Sequence, residues 1–460
     1  TGGFVQAGNA ATPLPGIPTV RDSLVDPDRN NLGPRLGFAW KPVAGNHRYV
    51  VRGGYGFYFD RPNARLLNNQ ILNFPYYTLA QVIGAPIATP FVQVPSPSSF
   101  PLVFTNTTTY PNGGPPARLP AAVAASAGAP AGFTCVGANG LYPDIHNFRN
   151  AYIQQYNLTV QYEVSTNWLL DFGYVGSVGR KLSRLRALNQ GLAAGGSGAL
   201  SPGLSSLAAQ GFGVHVMQSS ANSSYNSLQA TVTKRYSNGL QFLFAYTYSH
   251  SLDDYSGDAS GTSDNSVVPG NQVALNNHAS SDYDRRHRMV LSYIYDFPKF
   301  YTGDNRGLRH LMNDWEIAGI VTVQTGTPFS VLTNANAFTQ ARANVAAGCT
   351  NPALDGKVKS RLMRYFDVAC FVSATGVGNF GNSGRNLLRG PHQQNADFSV
   401  VKFFPIKESM KLEFRTEFFN VFNDVSFANP VNIRASANFG QVVRTSTGPR
   451  VIQFAFKFSF

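Results

Sequence analysis

The sequence lacks any apolar run long enough to form a membrane-spanning helix. Such a helix needs about 20 consecutive apolar residues, and none of the apolar runs in this 460-residue chain approaches that length. The absence excludes helical spans alone, because a membrane barrel strand needs apolar residues only at alternate positions. The chain also begins at Thr1 without an initiator methionine or a secretory signal, so we expect it to be processed or a fragment.

Charged residues and cysteines are scarce as well. Charged residues make up 13% of the chain, and its 37 Lys and Arg, which give a net charge of +13, are scattered instead of forming a basic block. Nucleic-acid binding is therefore not expected. The 3 cysteines show no CxxC spacing, which argues against a disulfide-dense scaffold or a metal cluster. Cys349 and Cys370 lie in one expected loop and are a candidate disulfide in an oxidising compartment, with two unpaired thiols as the alternative.

Aromatic residues and turn formers are abundant. Aromatics reach 13% of the chain, with 34 Phe and 21 Tyr, and they are accompanied by 44 Gly and 28 Pro. Apolar side chains recur at every second position in many segments, for example in residues 239–249 and 411–418. A period of two indicates β-strands with one apolar and one polar face. The sequence therefore predicts an all-β fold.

The links between these strands alternate in length. Short links, such as 42–47, 164–167 and 237–239, alternate with long ones at 61–151, 177–224 and 326–395. Outer-membrane barrels have short periplasmic turns and long extracellular loops, whereas sandwich loops show no such alternation. Aromatic clusters at strand ends suit the interfacial girdles of such barrels. Eleven strands are predicted, at residues 35–41, 48–59, 153–163, 168–176, 225–236, 239–249, 287–297, 314–325, 395–404, 411–422 and 450–460.

An odd number of strands points to an incomplete barrel. Single-chain bacterial barrels have an even number of strands, and two unpaired sheet edges are not tolerated in a bilayer. We therefore expect residues 1–460 to form one domain, the C-terminal part of a large antiparallel transmembrane β-barrel.

Several segments, in their order and spacing, resemble a known family. From about Asn30 to Phe460 they look like the C-terminal barrel of TonB-dependent receptors of the Oar-like type; among them are NNLGPRLGFAW, VVRGGYGFYFDRP, YNSLQATVTKRYSNGLQFLFAYTYSHSLDD, WEIAGIVTVQTGTPFSV, GNSGRNLLRGP and FRTEFFNVFNDVSFANP. The resemblance implies a barrel of 22 strands, of which these eleven are the second half. It also implies an upstream signal peptide, a carboxypeptidase-regulatory-like domain, a TonB box and a plug.

The function implied by this resemblance is energised uptake by a full-length parent protein. That parent would lie in the outer membrane of a Gram-negative bacterium and would contact the TonB complex through its N-terminal region. A passive porin or a surface adhesin is the alternative, and a secreted β-rich binding or enzymatic protein is a third hypothesis. No Ser-His-Asp or Cys-His arrangement can be assigned from the spacing, so neither an enzyme nor a cofactor is expected.

One polar cluster invites a metal-site interpretation. The segment DYDRRHR contains Asp282, Asp284, Arg285, Arg286, His287 and Arg288. Three arginines beside the carboxylates disfavour a cation, so we expect an ion-pair cluster at the outer rim. Because Arg binds phosphate oxygens in bidentate fashion, lipopolysaccharide phosphates are a hypothetical partner of this cluster. SLDDYSGD lacks the spacing of a calcium loop, and GVGNFG lacks the strand and helix of a nucleotide site.

The end of the chain is an alternating strand. Gln453, Ala455, Lys457 and Ser459 are expected to face the lumen, and a second set of residues, all large and apolar, is expected to face lipid: Ile452, Phe454, Phe456, Phe458 and Phe460. In outer-membrane barrels a C-terminal strand that ends in an aromatic residue is a signal for the barrel-assembly machinery, which is expected to grip it by strand addition. We also expect a short helical turn facing water at GLRHLMND, residues 307–314.

Overall fold

A computed structural model gives the fold. It describes residues 28–42, 48–61, 80–82, 133–135, 139–143, 148–187, 213–257, 277–333, 342–374, 380–406 and 410–460. Within these ranges, no helix is long and apolar enough to cross a membrane.

The described residues are mainly β-strands. The strands are β1 Arg35–Trp40, β2 Tyr49–Phe59, β3 Ala80–Val82, β4 Phe133–Cys135, β5 Asn139–Pro143, β6 Tyr152–Ser165, β7 Trp168–Ala187, β8 Gly213–Ser237, β9 Leu240–Asp253, β10 Ala279–Ser280, β11 His287–Asp296, β12 Trp315–Gln324, β13 Pro328–Phe329, β14 Asn344–Val345, β15 Phe371–Val372, β16 Leu388–Arg389, β17 Gln393–Pro405, β18 Lys411–Phe419 and β19 Val451–Ser459. Helical segments in the same ranges are α1, Arg306–Met312, and two 3-10 helices, Val358–Arg361 and Val368–Cys370.

Eleven of these strands form one continuous sheet in chain order. Its path is β1-β2-β6-β7-β8-β9-β11-β12-β17-β18-β19, with β10 added beside β9 and β5 beside β8. Consecutive strands along the path are antiparallel. The predicted all-β antiparallel fold and the eleven predicted strands are therefore confirmed. Within the described residues, β1 and β19 each pair with a single strand of this path.

The links of the sheet alternate between its two edges as predicted. We call the edge with the links 41–48, 166–167, 238–239, 297–314 and 406–410 the short-turn edge, and the opposite edge the long-loop edge. The tight turn between β8 and β9 shows why a short link forms there. Asn238 and Gly239 have positive φ angles of 52° and 76°, which a two-residue hairpin turn requires and which Asn-Gly supplies at little steric cost.

Strand register gives the sheet one apolar and one polar face. A row of cross-strand neighbours on one face consists only of apolar residues: Tyr49, Tyr162, Leu170, Val232, Phe244, Leu291, Val321 and Ala396. The row of cross-strand neighbours that is shifted by one residue in each strand lies on the other face. This row is mostly polar and includes Gln161, Asp171, Thr231, Thr322 and Asn395. Gln161 donates a hydrogen bond to Asp171 over 2.9 Å on this polar face. A barrel wall between lipid and a watery lumen needs this division.

The structure differs from the prediction at β7 and β8. Residues 177–224 were expected to be a loop, yet β7 continues to Ala187 and β8 begins at Gly213, so both strands extend beyond the apolar rows. Segments such as SVGRKLSRLRA lack apolar alternation because neither of their faces needs to contact hydrocarbon there. Backbone pairing, which continues from Ser183–Ser219 to Ala187–His215, holds the extension together.

All 3 tryptophans of the chain stand at strand ends. Trp40, Trp168 and Trp315 lie at the short-turn edge, and their cross-strand partners Val51, Lys234 and Lys402 belong to the apolar face. Tryptophan is enriched at membrane interfaces because its ring is apolar and its N–H is polar. The three rings therefore mark one membrane interface.

Two lysines support this assignment. Lys234 and Lys402 stand on the apolar face, but their ammonium groups turn back toward the short-turn edge. Lys234 Nζ donates to the carbonyls of Ser237 and Leu240, each over 2.9 Å, and Lys402 Nζ donates to the Asn313 carbonyl. This is how long cationic side chains at a membrane boundary keep the charge out of hydrocarbon.

We expect the tryptophans to sit at a shallow depth in a bilayer. Three variants of the full-length protein, each keeping one of Trp40, Trp168 and Trp315 and carrying Phe at the other two positions, are placed in vesicles with brominated lipids. Bromine near the headgroup should quench each tryptophan more strongly than bromine near the end of the acyl chain, because the rings mark the interface. Stronger quenching from the bilayer centre, or quenching only by a water-soluble agent, would contradict the assignment of the apolar face.

Candidate outer-surface binding site

Two loops at the long-loop edge fold together into one unit with its own core. The described residues 326–333, 342–374 and 380–392, after β12, and 420–450, after β18, make up this unit, which we call the loop cap. Its buried side chains form one cluster: Phe329, Val331, Ala343, Tyr365, Phe366, Cys370, Phe371 and Leu388. The Phe366 ring lies at its centre, 5.6 Å from Phe371 and 5.3 Å from Phe439 between ring centroids. Residues 326–395, expected to be a loop, thus contain a small packed core.

A disulfide bond closes part of the loop cap. Cys349 and Cys370 are bonded in the structure, with a Cα–Cα distance of 5.3 Å and a sequence separation of 21 residues. A crosslink over a loop of this length restricts the unfolded chain and stabilises the folded one by about 3 kcal/mol. The bond lies beside the apolar core, which Cys349 contacts and to which Cys370 belongs.

Backbone hydrogen bonds join the two loops of the cap. Leu332 N–H donates to the Asn432 carbonyl over 2.9 Å, and Val442 N–H donates to the Leu362 carbonyl over 2.8 Å. Gly440, whose carbonyl accepts from Tyr365 N–H, has a φ angle of +82°, and a Cβ there would lie 2.4 Å from Val368 Cγ1. Only glycine fits this close approach without displacing a neighbour.

Arg385 ties the loop cap to the polar face of the sheet. Its guanidinium lies 2.6 Å from Asp253 Oδ1, at the end of β9, and 3.0 Å from Asp282 Oδ1. The side chains of Arg385 and Asp253 are only 8% and 2% exposed. Arg385 also donates to the hydroxyl of Ser256 over 2.6 Å. A buried arginine with this many acceptors fixes the position of the loop that carries it.

A second buried carboxylate lies close by. The Asp284 carboxylate is fully buried and accepts hydrogen bonds from Arg389 in the loop cap and from the Ser251 N–H, the latter over 2.7 Å. Arg286 Nε lies 3.2 Å from the same carboxylate. The loop cap is thus held by two arginines, Arg385 and Arg389, on three aspartates of the rim, Asp253, Asp282 and Asp284.

The remaining residues of the predicted rim cluster point in different directions. Arg285 donates to the Thr325 carbonyl over 2.7 Å and to Gln393 over 3.0 Å, and burial lowers its pKa. The structure places His287 on the apolar face, where Nδ1 lies 2.8 Å from the Tyr246 hydroxyl. Arg288 pairs across the polar face with Thr247 and Gln324. Asp282 and Asp284 are brought together with arginines, whereas His287 is not part of that network.

The two described acids of SLDDYSGD, Asp253 and Asp254, are likewise bound within the protein. Asp254 accepts from the Asn222 N–H over 2.8 Å, and its other oxygen lies 2.9 Å from His278 Nδ1. In the part of the chain that the structure describes, no three His, Cys, Asp or Glu side chains form a possible metal-ligand set. Asp258 and residues 375–379, which include most of GVGNFG, lie outside the described residues.

Another arginine of the loop cap, Arg342, is buried, and no carboxylate of the described residues forms an ion pair with it. Arg342 donates to the Asn277 side-chain oxygen over 2.7 Å. Burial, together with the charge of Arg385, lowers the pKa of Arg342 to about 10, so the guanidinium stays protonated at neutral pH. Arg342 therefore adds one positive charge where the loop cap meets the rim.

The exposed side of the loop cap presents a different surface. Lys359, Met363, Arg364, Val443 and Arg444 are exposed there, and the hydrogen bond between residues 442 and 362 brings their two segments together. The Arg364 guanidinium binds Asp367 and lowers the pKa of that carboxyl. Apolar and cationic side chains on a rigid support form a surface that can contact an external ligand.

The polar face of the sheet carries a depression of about 390 Å³. Side chains of two kinds line it on that face: Gln241, Ser292, Asp397, Ser399 and Glu417 are polar, and Leu243, Ile294, Ala318, Ile320 and Phe419 are apolar. A hollow lined by both kinds of side chain can hold an amphipathic ligand or protein segment. The loop cap and this depression together make the candidate binding site.

Sequence reasoning missed Arg385 and Arg389 as anchors. Both lie in GNSGRNLLRGP, a segment with no acidic residue, and the carboxylate of Asp253 that binds Arg385 is 132 residues away in the chain. The one available signal was the pair of arginines in a loop without a local acid. That signal does not identify a partner so distant in sequence.

We expect Arg385→Met to loosen the loop cap. Removing one partner of a buried ion pair leaves the Asp253 carboxylate without its cation, which costs about 3–5 kcal/mol. Amide hydrogen exchange of the loop cap should become at least about 100-fold faster if this cost falls on local opening. Arg444→Met, which removes an exposed arginine of the same unit, is the matched control and should leave exchange unchanged. Equal exchange in both variants would contradict the anchoring role.

Comparison with known proteins places these features in a family. The profile of the family described as outer membrane beta barrel domain matches residues 1–453. No curated protein matches the sequence.

Solved structures that resemble this chain include three bacterial proteins. The outer membrane transporter YddB from Escherichia coli is 9% identical with a TM-score of 0.48, and the similarity covers 93% of this chain and 40% of that one. The ferripyoverdine receptor from Pseudomonas aeruginosa is 10% identical with a TM-score of 0.43, covering 93% and 33%. BauA, the ferric preacinetobactin receptor from Acinetobacter baumannii, is 10% identical with a TM-score of 0.40, covering 93% and 36%. The chain thus spans 33 to 40% of the length of these proteins.

The family profile covers nearly all of the sequence, and the apolar face and the alternating links of the sheet agree with it. The chain therefore belongs to the outer membrane beta barrel domain family and is a protein of the Gram-negative outer membrane.

Proposed function

We propose that the chain is the C-terminal part of a TonB-dependent receptor of the Oar-like type. In this proposal the full-length parent takes up a substrate by energised transport across the outer membrane. The observation that carries the proposal is the folded loop cap, which the Arg385 and Arg389 ion pairs hold on the polar face at the long-loop edge. A receptor needs ordered binding loops at its outer mouth, whereas a passive pore needs an open path.

The pairing of the sheet supports the assignment to a larger barrel. In the described residues, β1 and β19 each pair with one strand of the eleven-strand path, so two sheet edges are left open. Hydrocarbon does not tolerate open edges, because their N–H and C=O groups have no partner there. Further strands of the parent, 22 in all in this proposal, would pair with these edges.

The proposed partners follow from the same arrangement. The apolar face contacts outer-membrane lipid, with lipopolysaccharide around the long-loop edge, where exposed cations such as Lys359 and Arg444 suit its phosphates. The TonB complex acts on an N-terminal plug region of the parent. Within the loop cap, the exposed surface around Met363 and Val443 is the proposed first contact with the substrate.

Two measurements on the full-length parent test this function. Compounds depleted from the growth medium by the wild-type strain should remain there both after deletion of the gene and after deletion of TonB. Purified parent protein should give no steady open-channel conductance in planar bilayers, because a plug would close the barrel. Depletion that persists without TonB, together with steady conductance, would favour a passive porin. A change in cell attachment with no change in uptake would favour an adhesin.

We also propose that the last strand carries the assembly signal. Phe454, Phe456, Phe458 and Phe460 lie on one face of the C-terminal segment; the first three are placed by their pairing with β18, and Phe460 follows by alternation and is 92% exposed. The barrel-assembly machinery can pair with an exposed edge strand of this kind.

Deleting Phe460 should lower the amount of the parent protein that is assembled in the outer membrane. The deletion removes the aromatic anchor but leaves the paired residues of β19, which end at Ser459. Phe460→Trp, which keeps an aromatic ring, is the matched control. The measurement is the heat-modifiable fraction of the protein in outer-membrane preparations. Unchanged assembly after the deletion would contradict the signal.

A further inference from the structure

The link between β11 and β12 carries an exposed helix. The predicted helical turn in residues 307–314 is confirmed as α1, and none of its residues is buried. Leu308, Leu311 and Met312 lie on one side of it, because positions three and four apart share a helix face. Leu311 and the nearby Phe300 are 62% and 58% exposed. An exposed apolar side of this kind marks a contact site for a protein or a membrane.

The helix is held on the lipid side of the sheet. Trp315, on the apolar face, donates its indole N–H to the Leu311 carbonyl over 2.8 Å. Lys402, also on the apolar face, donates its ammonium to the Asn313 carbonyl at the end of the helix. Both donors lie at the short-turn edge, where the tryptophans mark the membrane interface. The helix therefore ends directly above the hydrocarbon boundary and not over the lumen.

Its attachment is rigid. The buried Asn313 side chain accepts from the Tyr301 N–H over 2.9 Å and donates to the Tyr301 carbonyl over 2.6 Å, which joins the two ends of the link. At the other end of the helix, Asn305 accepts from the Leu308 N–H over 3.1 Å. These bonds fix the direction in which the leucines point.

The opposite side of the helix is polar and carries an arginine. Arg306 and His310, four residues apart, lie across from Leu308, and Arg309 lies at the boundary between the two sides, where it donates to the Gly303 carbonyl over 2.9 Å. The helix sequence RGLRHLM contains no acidic residue. Apolar residues on one face and Arg on the other are typical of a helix lying in a membrane interface beside anionic headgroups.

We propose that α1 lies in the inner leaflet of the outer membrane, with Leu308, Leu311 and Met312 among the acyl chains and its cations beside anionic phospholipid phosphates. The inner leaflet is the one that short turns face in outer-membrane barrels. This interaction surface extends the tryptophan row at the short-turn edge and does not depend on the proposed uptake function.

The test uses the full-length protein reconstituted in phospholipid vesicles. In a Cys135→Ser background, an environment-sensitive fluorophore is attached to Leu311→Cys and, as the matched control on the opposite side of the helix, to His310→Cys. The label at 311 should emit at shorter wavelength and be quenched by nitroxide lipids, whereas the label at 310 should report water. Leu308→Cys gives a second apolar position if the 311 variant fails to assemble.

A second measurement uses the unaltered protein. Amide hydrogen exchange of residues 306–312 should be slower in vesicles containing phosphatidylglycerol than in vesicles of phosphatidylcholine alone, because the cations favour anionic headgroups. Labels at 311 and 310 that both report water would overturn the proposal. Equal exchange in the two kinds of vesicle would overturn the part that assigns anionic headgroups.

Discussion

The structure depends on one constraint: inside a bilayer, backbone N–H and C=O groups have only each other as partners. Antiparallel pairing satisfies them, and eleven strands in chain order do so here without a crossover in the main path. Pairing in turn fixes the register, and register fixes which residues share a face. The apolar row from Tyr49 to Ala396 and the polar row beside it therefore follow from the same hydrogen bonds.

The strands could be predicted from the sequence because their two faces meet different solvents. Lipid on one side and water on the other force the period of two that is visible in segments such as residues 239–249. Beyond the membrane the two faces meet the same solvent, so the period of two is lost although β7 and β8 continue. The turn between β8 and β9 could also be predicted locally, since the pair Asn238-Gly239 specifies a tight hairpin by itself.

The loop cap could not be predicted in the same way. Its core gathers residues as distant as Phe329 and Phe439, each in a segment with no repeating pattern. The cluster of Asp282 and Asp284 was visible as a group of charges, and its position at the start of β11 was predictable, but its partners Arg385 and Arg389 were not. Contacts between loops depend on three-dimensional proximity, which periodicity within a strand does not encode.

The contacts within the loop cap differ in kind from the contacts between the cap and the sheet. Inside the cap an apolar core, a disulfide and backbone hydrogen bonds hold the parts together, so separating them would expose hydrocarbon to water. Between cap and wall the contacts are ion pairs and hydrogen bonds, such as that between Arg385 and Asp253. Water can replace polar contacts far better than apolar ones, because it solvates the freed charges. The loop cap should therefore separate from the sheet as an intact unit before its own core opens. The ion pairs and hydrogen bonds between cap and sheet, not the aromatic cluster around Phe366, determine how firmly the cap is held over the polar face.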